Sequence, residues 1–172
     1  MKVILMMATS LNGIIATSDD KEDFLSHENW NQFVKRAQKS GCLIWGRKTY
    51  ELVRNWGEEY LKSIESITKI IISSNPHLKL DESFTLAESP QKALVILINR
   101  GFKEVILTGG STNNSSFAKL GLIDEVLIDL NSVIIGKGIS LFNPEEFELK
   151  LELIKNTKIN KDIVELHYKV IK

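Results

Sequence analysis

Residues 104–130 read EVILTGGSTNNSSFAKLGLIDEVLIDL. Strand-like residues run into Gly109 and Gly110, and small polar side chains follow. A short helix, expected over 115–121, ends on Gly121, and a second strand is expected over 124–130. Strand, helix and strand in succession are the order of a parallel α/β sheet. Ligands of such sheets collect beyond the carboxyl ends of the strands. Two residues without side chains at such an end let a pyrophosphate lie against the backbone, with Ser111, Thr112 and Asn113 as neutral donors. An ordinary turn accounts for a lone glycine pair equally well. The stretch is not GxGxxG, and it lacks the lysine of a P-loop.

Outward from this stretch the alternation continues. Strands are expected over 2–8 (KVILMMA), 42–46 (CLIWG) and 69–74 (KIIISS). They are almost wholly apolar, as parallel strands buried on both faces are. Residues 27–40 form a helix with Trp30, Phe33, Val34 and Ala37 on one stripe, Ser26 as cap and Gly41 as stop. ALVILI (93–98) has the composition of a strand. However, Ser89, Pro90 and Gly101 punctuate it as a helix over 90–100. The last 40 residues read as two alternating strands, 151–159 and 163–171, turning near Asn160 and Lys161. The expectation is one domain over 1–172, a three-layer α-β-α protein with a mixed, mostly parallel sheet and a C-terminal antiparallel hairpin.

The totals exclude several classes. Lys plus Arg is 22 and Asp plus Glu is 22 in 172 residues, so the totals offer no excess of positive charge of the kind a nucleic-acid backbone demands. No stretch approaches the roughly 18 apolar residues of a membrane span. The single cysteine, Cys42, forms no internal disulfide and fits a reducing cytoplasm. His27, His77 and His167 share no metal-ligand spacing, so no metal is expected.

Two further strand ends carry candidate binding residues. After CLIWG comes GRKTYE (46–51): Gly46 permits close approach, Arg47 and Lys48 add charge, and Thr49 adds a hydroxyl. A solvated helix start explains these residues as well. After KIIIS comes SSNPH (73–77), in which Ser73, Ser74 and Asn75 either meet phosphate oxygens or form a turn before Pro76. Three such ends in one domain point to a long, doubly charged ligand such as a dinucleotide.

These segments together resemble the dihydrofolate reductase superfamily, and within it the group of the bacterial riboflavin biosynthesis reductase (RibD C-terminal) domain. TSLNGIIA (9–16) is similar to that group's "SLDG-IA" loop, and GRKTYE is similar to the reductase GRKTW-E segment. IIISSNP, GGSTNNSSFAKLGLIDEVLI and GKGISLF (136–142) are similar to its later segments, in order and at family spacing. The resemblance implies an oxidoreductase that uses NADPH and a small-molecule substrate, a pterin or a ribosylaminopyrimidine. It also extends to homodimers joined through the terminal strands. By the same resemblance, Ala8 and Ile15 line the nicotinamide. Gly46, Arg47, Lys48 and Thr49 hold pyrophosphate and part of the adenosine phosphate. Ser73 and Ser74 flank the 2′-phosphate, and Gly109, Gly110, Ser111, Thr112 and Asn113 close over the pyrophosphate.

The substrate side departs from the family. Dihydrofolate reductases carry a carboxylate four residues before a core Phe of the first helix. Here that position, four before Phe33, is Asn29, a neutral residue. Glu28 is adjacent and is expected to face water. Asp129 shares a strand face with Leu127 and is buried at a cost unless paired or wet. It supplies the missing acid, anchors a polar substrate, or sits at an exposed strand end. Trp45 is expected to pack in its strand, and Trp56 to wall the cleft. The residues 9–23 are expected to fold over the nicotinamide. The rival to a reductase is a non-catalytic nucleotide-binding or sensing module that keeps the cofactor cleft.

Overall fold

The computed structural model describes residues 1–172. An eight-stranded sheet runs through the molecule in the order β5-β4-β3-β6-β1-β7-β10-β9. Its strands are β1 (Lys2–Ser10), β3 (Cys42–Gly46), β4 (Thr68–Ile72), β5 (Phe84–Ala87), β6 (Glu104–Leu107), β7 (Glu125–Asn131), β9 (Lys150–Lys158) and β10 (Ile163–Ile171). The strands from β5 to β7 are parallel, while β10 pairs antiparallel with β7 and with β9. A small separate ribbon joins β2 (Ile14–Thr17) to β8 (Gly138–Ser140). This is the expected three-layer architecture with its terminal hairpin.

Alternation along the strands builds two cores. Cys42, Ile44, Ile70, Val105 and Leu107 face one side, under α4 (Pro90–Asn99) and α5 (Ser111–Lys119). Leu43, Trp45, Ile71 and Ile106 face the other, under α1 (His27–Ser40), α2 (Arg47–Val53) and α3 (Glu58–Ser63). Central strands are buried on both faces, which is why they read as continuous apolar runs.

Local chemistry sets the helix ends. In α1 the Asn29 side chain accepts from Ser26 N at 3.0 Å, and Gly41 stops the helix at φ 74°. ALVILI is helical: Ser89 Oγ accepts from Lys92 N, Pro90 opens the first turn, and Pro90, Ala93 and Leu97 form the buried stripe. Capping and tertiary burial override the β-branched composition here. The helix expected over 115–121 starts four residues earlier, because the chain turns directly into α5 at Gly110. Strands β2, β5 and β8 and helix α3 were not expected; each is short, and periodicity needs length to show. No helix is long and apolar enough to cross a membrane.

Candidate active site

The carboxyl ends of β3 and β6 are stitched together. Gly46 N donates to the Gly109 carbonyl at 2.8 Å. A Cβ on Gly46 would stand 3.3 Å from the Asn113 Cβ, and Gly109 has φ +87°, a conformation that favours glycine. Gly110 then opens α5 with no side-chain cap, leaving its first N–H groups unclaimed by a capping side chain.

The polar run after the glycines is anchored to the segment around Asn143. Ser111 Oγ donates to Asn143 Oδ1, Asn143 Nδ2 donates to Thr112 Oγ1, and Asn143 N donates to Ser115 Oγ, each at 2.8 Å. Asn114 accepts from Gly109 N and donates to the Leu141 carbonyl. Asn113 donates to the Gly109 carbonyl at 3.1 Å, while its own Oδ1 is buried with no partner. Much of this run therefore holds the turn in shape.

A cleft of ≈ 670 Å³ begins at this turn and crosses the ends of β1 and β7. Of the residues singled out from sequence, Ala8, Ile15, Thr49, Gly109, Gly110, Asn29 and Asp129 line it, with His27, Trp45 and Trp56. The others stand around it. Arg47 forms a two-pronged contact with Glu51 one helical turn on, at 2.6 and 2.7 Å, and Lys48 is exposed. Ser73 Oγ accepts from Asn75 N, and Asn75 Oδ1 accepts from His77 N, so SSNPH forms a turn, with Ser74 exposed. Gly46, Ser111, Thr112 and Asn113 lie behind the glycine pair. The segment expected to cover the nicotinamide is pinned on its N-terminal side. Asn12 bonds both the N–H and the carbonyl of Ile135, and Leu141 N donates to the Gly13 carbonyl.

Asp129 lies on β7 between Ala8 of β1 and Glu165 of β10. It is 2% exposed, and its Oδ1 has no hydrogen-bond partner. Burial first, and then the Glu165 carboxylate, push its carboxyl up to about 6. The Asn29 amide and Arg36 pull the other way, and Glu28 pushes upward. Glu165 is itself 5% exposed and pairs with Arg36 at 3.2 Å. Asn29 spends its oxygen on the helix cap, and its buried Nδ2 has no partner. The Asn29 amide is thus near enough to draw the Asp129 carboxyl down, yet Nδ2 and Oδ1 fall short of a full hydrogen bond. Glu28 accepts from Gln32 and lies outside the cleft lining.

Several participants escaped sequence reasoning. Glu22 lines the cleft half-buried, and burial together with the Asp20 carboxylate pushes it up to about 7. It sits in an aperiodic loop, where no pattern marks it. Glu165 had a signal: in IVELHYKVI it shares the inward face with Ile163. Trp56 was expected to wall the cleft and lines it; Trp30, Phe33, Trp45 and Tyr60 join it as one aromatic wall, with Trp30 rings 5.1–5.3 Å from Phe33, Trp56 and Tyr60.

A mostly parallel sheet with an antiparallel terminal hairpin, here with a cleft across its carboxyl ends, is the dihydrofolate reductase-like fold. The model of the RibD C-terminal domain matches residues 1–165, and the chain belongs to that family. YwjB of Bacillus subtilis (strain 168), itself uncharacterized, is 30% identical over 171 residues, covering 97% of each chain. A putative riboflavin biosynthesis protein from Shewanella sp. PV-4 superposes with a TM-score of 0.82 at 23% identity, covering all of both chains. Dihydrofolate reductase from Enterococcus faecalis, in complex with NADP(H), shares the fold with a TM-score of 0.75 at 14% identity, over 99% of this chain and 97% of that one.

Proposed function

We propose that the chain is an NADPH-dependent reductase that delivers a hydride to a C=N or C=O carbon of a small planar substrate. The observation that carries this reading is the single cleft joining the Gly109–Gly110 turn to Asp129. The residues present suit a dinucleotide: bare backbone at Gly110, unclaimed N–H groups at the start of α5, and the Thr49 hydroxyl 3.5 Å from where a Gly110 Cβ would stand. Lys48 and Ser74, exposed near the ends of β3 and β4, would meet the adenosine phosphate, with Arg47 once it leaves Glu51. NADPH supplies the hydride when bound. Ala8 and Ile15 would bound the nicotinamide pocket, and the aromatic wall would exclude water from it. The Asp129 carboxyl, raised to about 6, holds a proton for part of the population near neutrality and would pass it to the substrate nitrogen or oxygen that gains the electron pair. Water would then reload the carboxylate.

The test is a titration with NADPH followed by loss of reduced-nicotinamide absorbance over a panel of neutral pterins, pyrimidines and carbonyl compounds. Binding with consumption supports the reductase. Binding with no consumption across the panel favours a nucleotide-binding module, and no binding at millimolar NADPH removes the cofactor assignment.

A further inference from the structure

The cleft lining contains Glu22, Asp23 and Asp129 but no lysine and no arginine. This is not because cations are scarce around it. Each bounding element carries them: several are paired with carboxylates, and Lys35, Lys39 and Lys48 stand outside the lining. Arg36 of α1 pairs with Glu165, Arg47 of α2 with Glu51, Lys62 of α3 with Glu58, and Lys21 of the preceding loop with Asp19. Arg54 lies over the Tyr50 ring and 3.8 Å from Asp81, outside the lining. A phosphate or carboxylate in the substrate half would thus meet three carboxyls and aromatic faces, with His27 as the one basic side chain of the lining, and would lose much of its hydration without replacement.

The same half offers much to a flat, uncharged ring. Its walls are aromatic, and all three tryptophans of the chain, Trp30, Trp45 and Trp56, belong to them. On its polar side the unpartnered Asn29 Nδ2 is a donor, and the unpartnered Asp129 Oδ1 is an acceptor. A neighbouring donor and acceptor match a ring edge that carries a carbonyl or ring nitrogen next to an N–H.

We propose that the substrate is a neutral or cationic planar heterocycle with such an edge, and that it carries no phosphate or carboxylate. This rests on the reading of the cleft as the meeting place of nicotinamide and substrate. It narrows the expectation from sequence, which allowed a ribosylaminopyrimidine or folate-like molecule with its anionic tail.

The test uses the full chain saturated with NADP⁺ and compounds that differ only by an anionic group: 6-methylpterin against 6-carboxypterin, and uridine against its 5′-phosphate. The three cleft tryptophans report occupancy through fluorescence quenching. The neutral member of at least one pair should bind at least tenfold more tightly than its anionic partner. The substitution Leu52→Arg, at a partly exposed lining position, should narrow that gap by strengthening the anionic member. Equal or tighter binding of the anionic members by the unaltered chain would overturn the proposal, as would failure of every compound to bind. Binding of the dinucleotide itself, read separately by energy transfer from tryptophan to NADPH, distinguishes a wrong substrate class from a wrong cofactor.

Discussion

Replacing Asp129 with Asn should stabilise the protein while disabling it. The side chain keeps its shape and loses its charge. In the fold the carboxyl is pushed from an ordinary 3.8 to about 6, chiefly by burial. Below the ordinary value it is protonated in both folded and unfolded chains, and it costs nothing. As pH rises from about 4 to about 6, the unfolded chain releases the proton and the folded chain retains it, so stability falls. Above the folded value the native state carries a charge in a dry site, and the loss is complete. At about 1.4 kcal/mol per pH unit between the two values it amounts to roughly 3 kcal/mol. The Asn variant escapes this fall. With a urea slope of about 2 kcal/mol per molar, its unfolding midpoint at pH 8 should lie about 1.5 M above that of the unaltered chain. At pH 4 the two midpoints should nearly coincide. Urea titrations followed by tryptophan fluorescence at a series of pH values measure this directly. NADPH consumption by the variant should drop while NADPH affinity stays within a few-fold. A variant no more stable than the parent at pH 8, or a difference that ignores pH, would refute the account of Asp129 as a buried carboxyl held for its proton.

Gly109→Ala places a side chain at φ +87° and against the Met7 methyl, so it should lower stability by about 1–2 kcal/mol and weaken NADPH binding, measured by thermal unfolding and by fluorescence titration. Asn143→Ala frees the first turn of α5 from two side-chain hydrogen bonds, to Ser111 and Thr112; NADPH affinity should fall several-fold with little change in the far-ultraviolet circular dichroism. Lys69→Met removes a buried ammonium that donates to the carbonyls of Ile64, Glu65 and Ile67 at 2.9–3.1 Å. It should cost about 2–4 kcal/mol in chemical denaturation without altering the cleft.

The order of elements was legible in the sequence, because burial on both faces and helical spacing leave local records. Cys42–Gly46 reads as a buried strand, and 27–40 as a capped helix, before any contact is known. Punctuation at Ser89, Pro90 and Gly101 outweighed the β-branched run between them. The glycine pair marked one end of the cleft without deciding between a close approach and a turn, and Gly109 does serve a turn at φ +87° while both glycines line the cleft. Asp129 stood out as a charge at an inward strand position.

Other features belong to the tertiary structure alone. Glu165 faces Asp129 because β10 returns antiparallel beside β7, a pairing between residues 36 positions apart that no local pattern encodes. Ser111 and Thr112 turned out to meet Asn143, which is distant in sequence. The charge character of the cleft was invisible along the chain, where lysines and arginines together are as common as acids. Periodicity is a one-dimensional property and survives in the sequence; electrostatic potential in a cleft depends on which distant side chains neutralise one another, and that is decided only when the sheet assembles.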